Sequence, residues 1–175
     1  MGMRNILKTI LCVAVVSLIG AADAAVSVDF DKEADFSGYK TFAWKEGTLA
    51  QNTLMHKRIV RAIEAQLEAS GLTKTEDEPD VYVLYHVALK QDRRISVDDF
   101  GYSHRWRGPH YGGGDVTVFD VNVGTLIVDM LDAGSEEGVW RGMAQRDLPP
   151  TPNPDKMEKK LVKVLGKMFR DYPPE

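Results

Sequence analysis

The side chains best suited to recognition or chemistry gather between Gln91 and Asp115. Tyr102, His104, Arg105, Trp106, Arg107, His110 and Tyr111 stand close together there, with Arg93, Arg94 and Phe100 before them and Gly112-Gly113-Gly114 after. Aromatic rings stack on sugar faces or bases, and guanidinium groups pair with phosphates or carboxylates. The set is therefore a candidate binding loop for a glycan, a lipid headgroup or another protein. The plainer account is a long, variable surface loop whose aromatics pack locally or cover a sheet edge, which is the commoner fate of such segments. His104 and His110, with Asp98, Asp99 or Asp115 as a third ligand, are donor types that borderline metals accept. Their spacing in a glycine-containing loop is not a defined ligand spacing, and nothing there supplies the supporting shell that a metal requires. Neither a metal nor another cofactor is expected.

Outside that segment the candidates are fewer. His86 is a general base by type, but no nucleophile or matched acid accompanies it. With Asp98, Asp99 and His104 it forms the one gathering from which a hydrolase of an envelope polymer could be built. Asp129 and Arg141 are the best candidate ion pair, and their expected role is structural, because an isolated pair of this kind does little chemistry. Lys156, Lys160, Lys163, Lys167 and Arg170 recur at helical spacing. They suit an anionic surface, although a solvated lysine face with snorkelling stems is the more frequent reason for such a stripe. The glycine triplet lacks the Lys-Ser/Thr and helix start of a phosphate loop, and no G-x-S-x-G elbow occurs. The reading is a binding module rather than an enzyme.

These side chains need a scaffold, and the hydrophobic pattern describes one. Val26, Val28 and Phe30 alternate with polar residues, the period-two mark of a half-buried strand. Tyr39 to Trp44 reads as a second strand. Met55, Ile59, Ile63 and Leu67 then recur every four residues as a helix, capped by Asn52 or Thr53 and ended by Gly71. Val81 to Leu89 is apolar on both faces and should be central in the sheet. A long flexible loop is expected over 91–115. Val116 to Leu131 follows as one strand, bent or bulged at Gly124. Asp132 to Ser135 turns the chain into a partner strand from Gly138 to Arg146. That register sets Asp129 opposite Arg141, Ile127 opposite Met143 and Leu131 opposite Val139. Asn153-Pro154 opens a last helix carrying Met157, Leu161, Val164, Leu165 and Met168 on one face. The order β-β-α-β-loop-β-β-α predicts a two-layer α+β domain with a mostly antiparallel sheet and two amphipathic helices on one face.

The first 24 residues read as a secretory signal. Arg4 and Lys8 precede an uncharged apolar run to Ile19, and Ala22-Asp23-Ala24 gives an A-x-A cleavage pattern. The run is too short to span a membrane. Cleavage between Ala24 and Ala25 is expected, leaving a single domain over 25–175 and no transmembrane helix in the mature chain. The one cysteine, Cys12, lies within the signal and is preceded by Leu11, a poor context for lipidation, so the mature chain has no thiol for disulfides, nucleophilic catalysis or thiolate metal sites. The formal charge of −4 becomes about −5 once the signal is removed. That balance argues against nucleic acid as a partner.

Several motifs resemble domain of unknown function family 4136, a group of Gram-negative envelope proteins and lipoproteins. They are Val28-Asp29-Phe30-Asp31, Phe36-Ser37-Gly38-Tyr39-Lys40-Thr41-Phe42-Ala43-Trp44 and Pro79-Asp80-Val81-Tyr82-Val83. The same holds for Gly124 to Asp129 followed by Val139 to Ala144, and for the closing helix running into Tyr172-Pro173-Pro174. The resemblance covers nearly all of the chain beyond the signal. It implies export, one domain, and residence in the periplasm or at the outer-membrane periphery. It implies no activity, ligand or partner, and many relatives carry the lipidation signal that Cys12 lacks.

Overall fold

The computed structural model describes residues 24–97 and 116–174. The described residues include six strands: β1 (Ala25–Phe30), β2 (Thr41–Trp44), β3 (Thr73–Lys74), β4 (Val81–Val97), β5 (Val116–Asp132) and β6 (Gly138–Leu148). They form one open mixed sheet in the order β1-β6-β5-β4-β2-β3. The pairs β1–β6, β6–β5 and β5–β4 are antiparallel, while β2 runs parallel to both β4 and β3. Two helices, α1 (Thr53–Ala69) and α2 (Pro154–Met168), complete the α+β domain.

Both helices start where the sequence can satisfy free backbone donors. The Asn52 side chain accepts from the N–H groups of Leu54 and Met55, and that of Asn153 accepts from Lys156. Pro154 occupies the first turn of α2, where its missing donor costs nothing. Gly71 stands just beyond α1 at φ +91°, a left-handed conformation that suits glycine. Leu72 then returns its N–H to the Leu67 carbonyl at 3.0 Å.

The core lies on one face of the sheet. Ile59, Ile63 and Leu67 of α1, with Val164, Leu165 and Met168 of α2, pack in one cluster with Phe42, Val81, Val83, Tyr85, Val128, Met130 and Trp140. Helix α2 comes close to β6 because residue 142 is glycine. A Cβ there would collide with Met168 and the Trp140 ring.

Three expectations are corrected. The stretch taken as loop from Gln91 is strand through Val97, paired residue by residue with 116–122 of β5. Strand β5 carries no bulge at Gly124, which pairs in register with Leu89 and Arg146. Its missing side chain leaves room for Leu148, whose Cδ1 would lie 3.0 Å from an added Cβ. The register shift falls between Met130 and Leu131 instead, so Leu131 faces Gly138 and not Val139. The extra residue on β6 leaves Val139 and Trp140 both buried in succession, which strict alternation would forbid.

Asp80 pins the start of β2 to the start of β4. One carboxylate oxygen accepts from the Lys40 and Thr41 N–H groups and the Thr41 hydroxyl, each at 2.8 Å. These bonds, the Lys40 N–H foremost, hold its carboxyl below the ordinary value of 3.8. A depressed folded value stabilises the protein above the unfolded value, and that contribution is lost as pH falls through the folded one. The urea midpoint should therefore fall as pH drops below about 4. Asp80→Asn should start from a lower midpoint at neutral pH and show a shallower acid decline. Parallel pH profiles for the two proteins would contradict this role.

Candidate functional site

Period-two alternation sends the even-numbered residues of β4 and the odd-numbered residues of β5 and β6 to the face opposite the helices. On that face β1, β6 and β5 set Asp29, Arg141 and Asp129 side by side in register. Arg141 grips Asp129 with two bonds, Nε to Oδ1 at 2.5 Å and Nη2 to Oδ2 at 3.1 Å, a bidentate fork. The Asp129 residue is only 5% exposed, whereas the Arg141 side chain is 64% exposed. The Asp129 hydrogen bonds first, then its charge, with a smaller contribution from Asp29, hold the guanidinium protonated above its ordinary value.

His86 of β4 completes the row. Its Nδ1 accepts from the Thr48 N–H at 3.0 Å, so the neutral ring carries its proton on Nε2. That Nε2 faces Asp129 Oδ2 at 3.8 Å, an electrostatic contact beyond hydrogen-bond range. The histidine ties the segment after β2 to the sheet.

Apolar residues surround this polar row. Leu84, Ile127 and Leu131 are half-buried, and Met143 is exposed. Together with Asp29, Asp31, Gly138 and Val139, the row borders an open cleft of about 540 Å³. Nearby, Lys45 reaches over the Tyr82 ring at 5.1 Å and pairs with Glu136 at 3.1 Å. The arrangement offers fixed charges of both signs amid apolar surface, the composition of a recognition patch.

The candidate loop residues Tyr102, His104, Arg105, Trp106, Arg107, His110 and Tyr111, with Asp98, Asp99 and Asp115, lie outside the described residues. So do Cys12 and most of the expected signal segment. Ala25 opens β1 opposite Gln145. Among the described residues, no three His, Cys, Asp or Glu side chains gather as a metal would require. Among them, too, no helix is long and apolar enough to cross a membrane, which says nothing of strands. Sequence reasoning paired Asp129 with Arg141 but missed Asp29 and Thr48. The alternation in β1 carried the signal for Asp29. Thr48 meets His86 Nδ1 through both its backbone N–H and its hydroxyl, each at 3.0 Å, a tertiary contact that no local pattern announces.

An open six-stranded sheet with helices on one face and a charged row on the other defines a small two-layer α+β domain. The model of the domain of unknown function family DUF4136 matches residues 26–174, and the chain belongs to that family. Its fold is similar to that of a DUF4136 family protein from Bacteroides thetaiotaomicron, at 15% identity and a TM-score of 0.51, covering 86% of this chain and 96% of that one. It is also similar to a PDZ domain protein from Parabacteroides distasonis, at 15% identity and a TM-score of 0.56. There it covers 87% of this chain but spans only 37% of the other protein's length. A weaker likeness, at 11% identity and a TM-score of 0.48, joins it to PelC of Paraburkholderia phytofirmans, a dodecamer, over 83% of this chain and 98% of that one. No curated protein sequence matches it.

Proposed function

We propose that this chain is an exported cell-envelope protein that acts by binding, without catalysis, and that the helix-free sheet face receives a partner protein. One observation carries the reading. That face sets the fixed Asp29–Arg141–Asp129 row beside exposed Met143 and half-buried Leu84, Ile127 and Leu131, and among the described residues no helix covers it. A buried carboxylate with an outward guanidinium gives directional recognition, and the apolar surround provides area to bury. Membership in the family and the signal-like first 24 residues support the envelope as the setting.

A photo-crosslinking residue at Met143, in cells of the source bacterium, tests this. It should yield a discrete adduct of defined mass, whereas the same residue at exposed Arg61 on α1 should not. The reading fails if position 143 yields no adduct, or if both positions capture the same species.

A further inference from the structure

Helix α2 segregates its charge more sharply than its sequence suggests. At about 100° per residue, Lys156, Lys159, Lys160, Lys163 and Lys167 fall within an arc of roughly 100° that contains no carboxylate. Lys159, which the four-residue spacing alone passes over, joins that arc. The two acids of the helix, Asp155 and Glu158, fall on the other flank, where Glu158 meets Arg58 of α1 at 3.4 Å. Val164, Leu165 and Met168 are buried on the side facing the sheet, so the lysine arc points away from the core. Lys156, Lys159, Lys160 and Lys163 are exposed, and exposed Arg170 follows just beyond the helix. This cationic strip, about 20 Å long, sits on a chain of net charge −4.

We propose that α2 rests its lysine arc on the surface of an anionic lipid bilayer, a peripheral contact separate from the sheet face. Lysine fits a plane of lipid phosphates better than a structured acidic ligand. Its ammonium is a compact charge on a flexible stem, and it lacks the rigid fork with which arginine engages a fixed carboxylate. The contact requires no insertion, because the apolar side of α2 is already used in the core. The acidic remainder of the chain is repelled by the same surface, so the attraction also orients the domain.

The test is sedimentation of the protein with vesicles of phosphatidylcholine alone or of phosphatidylcholine containing phosphatidylglycerol. Binding is expected only to the second kind, and it should vanish near 1 M salt, where the screening length is about 3 Å. The variant Lys156→Glu/Lys159→Glu/Lys160→Glu should bind roughly a hundredfold more weakly. These three positions suit the test because Lys163 and Lys167 are engaged elsewhere within the chain. The new acid at position 156 lies in the first turn of α2, where the helix dipole favours it, and all three positions are exposed, so the fold should survive. An unchanged circular dichroism melt would confirm that the loss is one of charge. Failure to bind phosphatidylglycerol vesicles, equal binding to neutral vesicles, or a triple variant that binds like the parent would each overturn the proposal. So would soluble polyglutamate that displaces the protein from the vesicles at matched charge concentration, because it would mark an acidic polymer as the better ligand.

Discussion

Gly47→Ala is expected to cost about 3 kcal/mol of folding stability, read as a fall in the urea midpoint with little change in slope. Beyond β2 the chain keeps running along β4. Lys45 donates to the Val83 carbonyl at 2.8 Å, and the Val87 N–H donates to the Thr48 carbonyl at 2.9 Å. Between these bonds Gly47 lies against the Tyr85 backbone, and a Cβ added there would overlap the Tyr85 carbonyl oxygen. A flexible side chain could swing aside, but this atom belongs to an interior strand. Tyr85 is 1% exposed, and its hydroxyl meets His56 Nδ1 at 2.6 Å and the Ala50 N–H at 3.3 Å. Relief must come from moving the 45–50 segment outward, which also releases the Thr48–His86 bond. Gly38→Ala is the control, since nothing lies within 4 Å of its added Cβ. Its midpoint should stay within about 0.5 kcal/mol of the parent. An alanine at 47 with the parent's midpoint would mean that the segment does not run against β4.

Arg141→Ala should cost about 2 kcal/mol, because it leaves the Asp129 carboxylate desolvated with its strongest donors gone. The figure is held below that of a fully enclosed pair because the cleft can admit water once the guanidinium leaves. Removing both charges should behave differently. Asp129→Leu/Arg141→Met replaces the pair by apolar residues of similar bulk, and such exchanges are commonly neutral or stabilising. The double variant should therefore recover most of what the single one loses in equilibrium urea unfolding. Additive losses in the double variant would show that the pair contributes more than mutual neutralisation. If the sheet face is the binding surface, the double variant should also fold well and lose the Met143 crosslink, which separates stability from recognition.

The helices and most strands were legible because their signals are local. The four-residue recurrence of Met55, Ile59, Ile63 and Leu67 suffices for α1, and Asn52 and Asn153 announce the two starts. The antiparallel pairing of β5 with β6 followed from the short turn at Asp132 to Ser135, and with it the meeting of Asp129 and Arg141. Other features depend on distant neighbours. The two-residue strand β3 is defined by Thr73 donating to the Lys40 carbonyl and Thr75 to that of Phe42. No periodicity can announce so short a strand. The parallel docking of β2 on β4 is equally a tertiary outcome. Gly124 misled because a glycine within a strand signals either a bulge or a close neighbour, and only the position of Leu148 tells which. The bulge itself was visible as adjacent Val139 and Trp140, two large apolar residues where alternation calls for one. On the candidate site, charge and alternation revealed the carboxylate–guanidinium pair, while the backbone donor that orients His86 is invisible to any reading of side chains.

The pairing of β1 with β6 has a kinetic consequence. Ala25 bonds alongside Gln145 and Phe30 alongside Trp140, so the strand that leaves a ribosome or a translocation channel first finds its neighbour among the last. Until more than a hundred further residues have followed, β1 has only an unsatisfied ladder to offer. The α1 turn and the β5–β6 hairpin can close early, because their partners are near in sequence. Closure of the β1 edge waits on a loop of more than a hundred residues, a non-local pairing of the kind that slows folding. A chain that reaches its destination unfolded loses nothing by such an order of events. One folding as it is synthesised would carry an open strand for most of its synthesis, the condition under which chaperone capture is most useful.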